Sequence, residues 1–397
     1  MTQTRTRILF VDDEPQVLSV LRLMLKPLLA ELETEFVTSG PQALAAMAEK
    51  PFEVVVSDMR MPGMTGAELL NEVMRLYPQV VRIILSGFAD QELVMQCIGS
   101  THLYLSKPIS ASTLRSTLRR IQELNHRLMN GQIRKLVTQM SCLPTMPGVY
   151  FKIVNALQSP NASVQLIADI IERDASLTAK ILQLANSAFF GSAGSVTTVV
   201  DAVQFLGVQV IGSLALANGI FSSFNKEKGK KLALDDLWQH SVHTGVLART
   251  LCREEIGDLA QSETAFTAGI LHDIGKMVIA SNLPYQYLQV LSQSQSQQCP
   301  TFQVESGIFN VDHADVGGYL LGIWGLPVTL VEAVGLHHHP EMSIDDTFSP
   351  LTAVHIANVL VEQKRHGEAN PCVSPLNLEY LNRLGLSDRI PGWRTLV

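Results

Sequence analysis

Short apolar runs alternate with amphipathic stretches along the first third of the chain. Ile8-Leu9-Phe10-Val11, Glu35-Phe36-Val37, Val54-Val55-Val56, Arg82-Ile83-Ile84-Leu85 and Leu103-Tyr104-Leu105 have the length and β-branched content of strands. Between them, segments such as Gln16 to Leu29 and Gly66 to Leu76 repeat their apolar residues at helical spacing. Five β and five α units in alternation predict an α/β doubly wound, parallel, five-stranded sheet over residues 5–122. In such sheets ligands gather at the carboxyl ends of the strands, near the point where the strand order reverses.

The pattern then changes. From Ser110 to about Met140 it is continuously helical, with Leu114, Leu118, Ile121 and Leu128 on one stripe and Arg115, Arg119, Arg120, Arg127 and Arg134 off it. Residues 123–141 are read as a helical linker. A coiled-coil seam that makes a homodimer and a monomeric connector are both compatible with it, because Asn125, Gln132 and Gly131 interrupt the heptad. After the break at Leu143-Pro144-Thr145-Met146-Pro147-Gly148 no strand pattern returns, so residues 142–386 read as all-α, in an N-terminal part, 142–225, and a second part, 234–366. Helical patterns cover Val149–Leu157, Val164–Arg173, Ser176–Ala185, Val199–Leu206 and Val208–Phe221. Asn225 to Lys231 reads as a charged turn, and the Gln/Ser stretch Ser292 to Gln298 as an exposed loop.

Composition narrows the setting. A chain of 397 residues with 46% hydrophobic and 17% charged residues is too long for one core and too apolar for extended disorder. A formal charge of -7 gives no reason to expect DNA or an anionic membrane as partner. The five cysteines lack a C-x-x-C pair, which argues against a disulfide framework or a thiolate zinc site. The first apolar run is cut short at Asp12, and the apolar segment Val208 to Phe221 is punctuated by Gly212, Ser213, Asn218 and Gly219. Neither a signal peptide nor a membrane span is expected, and the location expected is the cytoplasm.

Four of the apolar runs end in groups suited to phosphoryl chemistry: Asp12-Asp13, Asp58, Ser86 and Lys107. Three carboxylates and one ammonium leave two negative charges, which one Mg²⁺ neutralises. Asp58 is the expected nucleophile, since the loop behind it, with Pro62, Gly63 and Gly66, can expose it. Lys107 and the metal would stabilise the transferring group, and Ser86 would hydrogen-bond its oxygen. Asp12-Asp13-Glu14-Pro15, Ser57-Asp58-Met59-Arg60-Met61-Pro62-Gly63-Met64, Leu85-Ser86-Gly87 and Lys107-Pro108 together resemble the receiver domain of two-component response regulators, a flavodoxin-like fold. The resemblance implies a phosphoryl group arriving at Asp58 from a sensor histidine kinase or phosphotransfer protein. It implies Mg²⁺ held with the help of Asp13 and the Arg60 backbone, a Ser86 and Tyr104 switch pair, and a cis Lys107-Pro108 bond.

Nine of the eleven histidines fall between His240 and His366. His240 and His243 share a helix face, Asp236 lies one turn before His240, and His272-Asp273 is followed by His313 and His337-His338-His339. Imidazoles with carboxylates suit transition metals that activate water. Leu143-Pro144-x-x-Pro147, Arg173-Asp174-x-x-Leu177-Thr178, Leu184-Ala185-Asn186-Ser187, Ala202-Val203-x-x-Leu206-Gly207 and Trp324-Gly325-Leu326-Pro327 resemble the HDOD family of bacterial signalling output domains. By that resemblance His240, His272, Asp273, His313, His337 and His338 match positions that bind metal (Mn, Fe or Zn) in the related HD phosphohydrolases, and Lys276 matches a lysine near their phosphate. The final aspartate of that set is here Asn358, and no Gly-Tyr-Pro follows His339-Pro340. The expected output is therefore interaction with an unidentified protein. The alternative is a phosphorylation-gated, metal-dependent phosphohydrolase acting on a cyclic dinucleotide. Asn186-Ser187 and Trp324 are read as a polar cap and a core anchor.

Overall fold

A computed structural model describes residues 6–28, 32–77, 80–86, 100–112, 114–115, 117–118, 136, 146–159, 162–187, 196–223 and 234–397. The chain divides into an N-terminal α/β unit and a C-terminal helical unit, with the change at Met146 and Pro147.

Strands β1 (Thr6–Val11), β2 (Leu32–Val37), β3 (Val54–Asp58), β4 (Val81–Ser86) and β5 (Leu103–Ser106) form one sheet in the order β2-β1-β3-β4-β5. Every pairing is parallel. The chain reverses its direction of travel across the sheet between β1 and β3, which makes their carboxyl ends the switch point. Val54, Val55 and Val56 are fully buried, as a central parallel strand covered on both faces requires. At the β2 edge Glu33 pairs with Arg7 and Glu35 with Lys50, charges that discourage pairing with a further strand.

Helices α1 (Pro15–Leu25), α2 (Gly40–Glu49) and α3 (Gly66–Leu76) connect the strands. Pro15 starts α1, where its missing N–H costs nothing. Thr65 and Glu68 start α3 with a reciprocal capping box, the Thr65 hydroxyl accepting from Glu68 N–H at 3.2 Å and Glu68 Oε2 accepting from Thr65 N–H at 2.9 Å. That start fixes the far end of the loop leaving Asp58. Leu114 and Leu118 are buried, and Arg115 donates to the Met24 carbonyl. The 123–141 linker lies outside the described residues apart from Leu136, as does the Asn225 to Lys231 turn.

Among the described residues no strand follows β5. The helical unit opens with α4 (Gly148–Gln158), α5 (Val164–Glu172), α6 (Ala175–Ala185), α7 (Val199–Leu206) and α8 (Val208–Ser223). Ser163, Asp174 and Thr198 accept from the first free N–H groups of α5, α6 and α7, which explains where those helices begin. Gly207, at φ 85°, turns α7 into α8, and the two meet at 113°. The apolar stretch of α8 is core: Val210, Ile211, Leu214, Ala215, Leu216 and Ala217 are all buried. Among the described residues no single helix is long and apolar enough to cross a membrane.

The second part contains α9 (Leu234–Glu255), α10 (Leu259–Leu271), α11 (Ile274–Asn282), α12 (Pro284–Gln297), α13 (Thr301–Phe309), α14 (His313–Ile323), α15 (Val328–Gly335), α16 (Pro350–His366) and α17 (Leu378–Arg383). Helix α9 packs most extensively on α10 and α16. Gly245 and Gly269 let α9 and α10 touch backbone to backbone, since a Cβ on Gly269 would stand 2.6 Å from the Gly245 Cα. One expectation fails here. Residues 292–297 of the Gln/Ser stretch are helical, the last turns of α12, which closes at Gln298 in the left-handed region. Glutamine is a good helix former, and the upstream stripe of Tyr287 and Val290 continues to the buried Ser294, whose hydroxyl donates to the Cys299 carbonyl at 2.6 Å. A polar, repetitive composition concealed a half-buried helix.

Candidate functional site

Register brings the strand ends of the α/β unit together. Val11 pairs with Ser57 and Asp58 with Leu85, so Asp12 and Asp58 leave adjacent strands at the same level. Both are buried. Lys107 Nζ lies 2.9 Å from Asp12 Oδ2 and also pairs with Asp58 Oδ1. Burial pulls the Lys107 ammonium down, but its contacts with Asp58 and Asp12 outweigh that and raise its pKa. Asp58 Oδ2 accepts from the Arg60 backbone N–H at 2.8 Å, and Asp12 Oδ1 from that of Glu14 at 3.0 Å.

Asp13 is half-buried beside Asp12. Ser86 ends β4, and its carbonyl accepts from Lys107 N–H at 2.7 Å, which ties the hydroxyl-bearing strand end to the lysine. The Lys107-Pro108 bond is cis. Tyr104 pairs with Ile84 in β5, and its side chain lies outside the described part. The loop behind Asp58 packs so closely that a Cβ on Gly66 would stand 2.0 Å from the Asp58 carbonyl oxygen. Only glycine permits that approach.

In the helical unit His240 comes from α9, His272 ends α10, Asp273 and Lys276 open α11, His313 opens α14, and His337 and His338 follow α15. All six candidate ligands converge. His240 Nε2 is 3.2 Å from His272 Nε2 and 3.9 Å from Asp273 Oδ2, and His272 Nε2 is 3.4 Å from Asp273 Oδ1. His313 Nε2 is 3.1 Å from Asp273 Oδ1 and 3.0 Å from His338 Nε2. Two groups of ligand atoms result: His240, His272 and Asp273, and His313, His337 and His338. Lys276 donates to Asp273 Oδ2 at 2.8 Å. Asn358 Oδ1 lies 2.9 Å from His240 Nε2, at the mouth of the first group.

Second partners orient these rings. The Nδ1 atoms of His272 and His337 lie 2.7 Å from the carbonyls of Gly269 and Val334. A carbonyl only accepts, so each Nδ1 carries the proton and each Nε2 offers its lone pair to the cluster. His313 Nδ1 meets Glu305 Oε2 at 2.6 Å. Burial disfavours charge on His313, but Glu305 more than offsets it and carries the pKa to about 9. Burial alone would raise the Asp273 carboxyl, whereas His272, Lys276 and His313 hold it well below the usual range. Burial lowers His240 to about 3 and pushes His337 and His338 well down, so those rings are neutral.

The response regulator receiver domain profile matches residues 8–119, and the HDOD domain profile matches residues 143–340. The chain joins a receiver domain to an HDOD domain. Over 125 residues the chain is 34% identical to the hydrogenase transcriptional regulatory protein HoxA of Cupriavidus necator, a match covering 31% of this chain and 25% of that one. The chain spans less than half the length of the curated relatives it matches. An HDOD domain protein of unknown function from Geobacter sulfurreducens has a similar structure, with a TM-score of 0.50 at 22% identity over 70% of this chain and 96% of that one. So has a candidate phosphohydrolase from Shewanella amazonensis, with a TM-score of 0.50 at 22% identity over 67% and 93%. At that identity the likeness shows the fold.

The receiver domain donor set, three carboxylates against one ammonium, suits a hard divalent cation. In the HDOD domain the set is imidazole-rich, and His337 Nε2 is buried without a hydrogen-bond partner, as expected of a nitrogen that waits for an ion. Such donors suit a transition metal. Two residues of α9 near His240 take no part in the cluster. Asp236 stands outside the cluster, exposed and paired with Arg365, one turn nearer the start of α9 than His240. His243 is half-buried on α9 and belongs to neither group of ligand atoms. Glu305 was not singled out in the sequence, because its eight-residue separation from His313 matches no motif.

Proposed function

We propose that this response regulator is switched by phosphorylation of Asp58 and that its HDOD domain passes the change on through contacts with another protein. One observation carries the reading: the Lys107 ammonium bridges Asp12 and Asp58 at the switch point of the sheet. Asp58 is the nucleophile, at the start of the Met59–Thr65 loop, and the Arg60 N–H orients its carboxylate. Lys107 meets the charge of the incoming group. Asp12, Asp13 and the Arg60 backbone would hold Mg²⁺, which supplies charge neutralisation at the phosphoryl oxygens. Ser86, tied to Lys107 through the backbone, is placed to follow the new charge of about −1.5 to −2. The donor is a histidine kinase or phosphotransfer protein. The free thiols of Cys252, Cys299 and Cys372 suit a reducing, cytoplasmic setting.

Incubation with acetyl phosphate and Mg²⁺ tests this. A hydroxylamine-labile mass gain on Asp58, absent in Asp58→Asn, is expected, together with a change in captured partners. No gain on that side chain overturns the reading.

The convergence of His240, His272, Asp273, His313, His337 and His338 supports a second reading, an HDOD domain that binds a transition metal and hydrolyses a phosphodiester such as a cyclic dinucleotide. A bound metal would lower the pKa of a coordinated water, and Lys276 would face the substrate phosphate. Turnover lost in His272→Ala separates it from the first.

A further inference from the structure

This inference rests on the metal-binding part of the second reading and does not require turnover. We infer that the HDOD cluster takes one divalent transition-metal ion, held by His313, His337 and His338, and that Glu305 supplies the carboxylate charge the Asn358 position lacks.

Charge decides the count. The cluster contains one carboxylate in direct reach, Asp273, whose other oxygen is already engaged by the Lys276 ammonium at 2.8 Å. Glu305 adds a second negative charge through His313. These three groups sum to one negative charge, which a single divalent ion overcompensates by one. Two ions would leave these three groups with three positive charges in excess, because the amide at Asn358 contributes none.

Geometry decides the half. Ligand atoms around a tetrahedral Zn²⁺ with bonds of about 2.0–2.1 Å stand about 3.3 Å apart. His338 Nε2 and His313 Nε2 are 3.0 Å apart and His240 Nε2 and His272 Nε2 are 3.2 Å apart, so spacing permits either half and the orientation of the rings separates them. His337 Nε2 faces no hydrogen-bond partner, with its Nδ1 fixed on Val334. By contrast, His240 Nε2 faces Asn358 Oδ1 at 2.9 Å, an oxygen that only accepts, so that nitrogen carries a proton in place of a free lone pair. Glu305 is fully buried and touches only the second half. Its Oε2 accepts from both the backbone N–H and the Nδ1 of His313, which turns Nε2 towards the other two imidazoles. Three imidazoles leave a fourth position open, the arrangement of a site that works on a ligand.

The test uses the full chain, stripped of metal, equilibrated with Zn²⁺ in excess Mg²⁺ so that the receiver carboxylates are filled, and read by elemental stoichiometry and chelator competition. One Zn²⁺ per chain is expected, retained in His240→Ala and lost in His338→Ala. Glu305→Gln should weaken binding 10- to 100-fold in the fraction that stays folded, and Asn358→Asp should raise the count to two. Two ions in the wild-type chain, or retention in His338→Ala with loss in His240→Ala, overturns the assignment while leaving the metal reading intact. Should Glu305→Gln fail to fold, the two histidine variants still decide. No Zn²⁺ in the wild-type chain overturns both.

Discussion

Gly275 packs so tightly against His313 that a Cβ on it would stand 1.9 Å from the His313 carbonyl oxygen. That contact brings the start of α11, which carries Asp273 and Lys276, onto the start of α14, which carries His313. The 3.1 Å separation of Asp273 and His313 depends on it. Gly275→Ala forces the two helices apart inside a packed core, and overpacking of this kind costs about 1–3 kcal/mol. A lower urea midpoint for the helical domain, with weakened Zn²⁺ binding, is the expected result. Unchanged stability would mean that α11 can move away without cost.

Lys107 lies between the buried carboxylates of Asp12 and Asp58 and pairs with both. Lys107→Met keeps the length of the stem and removes the charge, so two carboxylates then face each other with little solvent. Its side chain retains 30% exposure, which puts the loss below that of a fully buried pair, at about 1–3 kcal/mol near neutral pH. Mg²⁺ replaces the missing charge. Thermal melts should therefore show a lower midpoint for the variant without Mg²⁺, and a larger rise on adding Mg²⁺ than in the wild type. Phosphorylation by acetyl phosphate should also slow. Equal Mg²⁺ responses in the two proteins would show that Lys107 does not offset this charge.

Most of this arrangement is legible in the sequence because it follows from periodicity. A parallel sheet places the residues after its apolar runs at one edge, so Asp12, Asp58 and Lys107 had to meet. The histidine set was readable through its motif, not its spacing: nothing in the pattern alone shows that His313, which opens α14, and His338, in the turn after α15, approach within hydrogen-bonding distance. What stayed hidden depends on packing of distant backbone. Glu305 is an ordinary acidic residue in a short helix until α13 lies against α14. Gly275 follows a common dipeptide, and its role appears only when the His313 carbonyl is placed beside it. The Gln/Ser stretch misled for the opposite reason, since composition was read where burial of Tyr287, Val290 and Ser294 decided.

His355 is held neutral by its burial, and the Asn377 N–H opposes a second proton. Its Nδ1 lies 2.8 Å from the His337 carbonyl, which can only accept, and its Nε2 lies 3.0 Å from the Asn377 backbone N–H, which can only donate. The neutral Nδ1–H tautomer satisfies both, whereas a second proton would set Nε2–H against the Asn377 N–H. Burial is the main cause that lowers its pKa, to about 4 from an ordinary value of 6.5. The unfolded chain thus takes up a proton that the folded chain refuses. Stability is full above about pH 6.5, falls as pH drops towards 4, and the loss from this ring levels off below that, at about 3 kcal/mol. His355→Gln removes the titrating group and retains the amide donor and acceptor, so it should flatten the acid limb of the stability curve by about one proton between pH 6.5 and 4. Urea unfolding of both proteins across that range checks it: parallel acid limbs would place the proton uptake elsewhere.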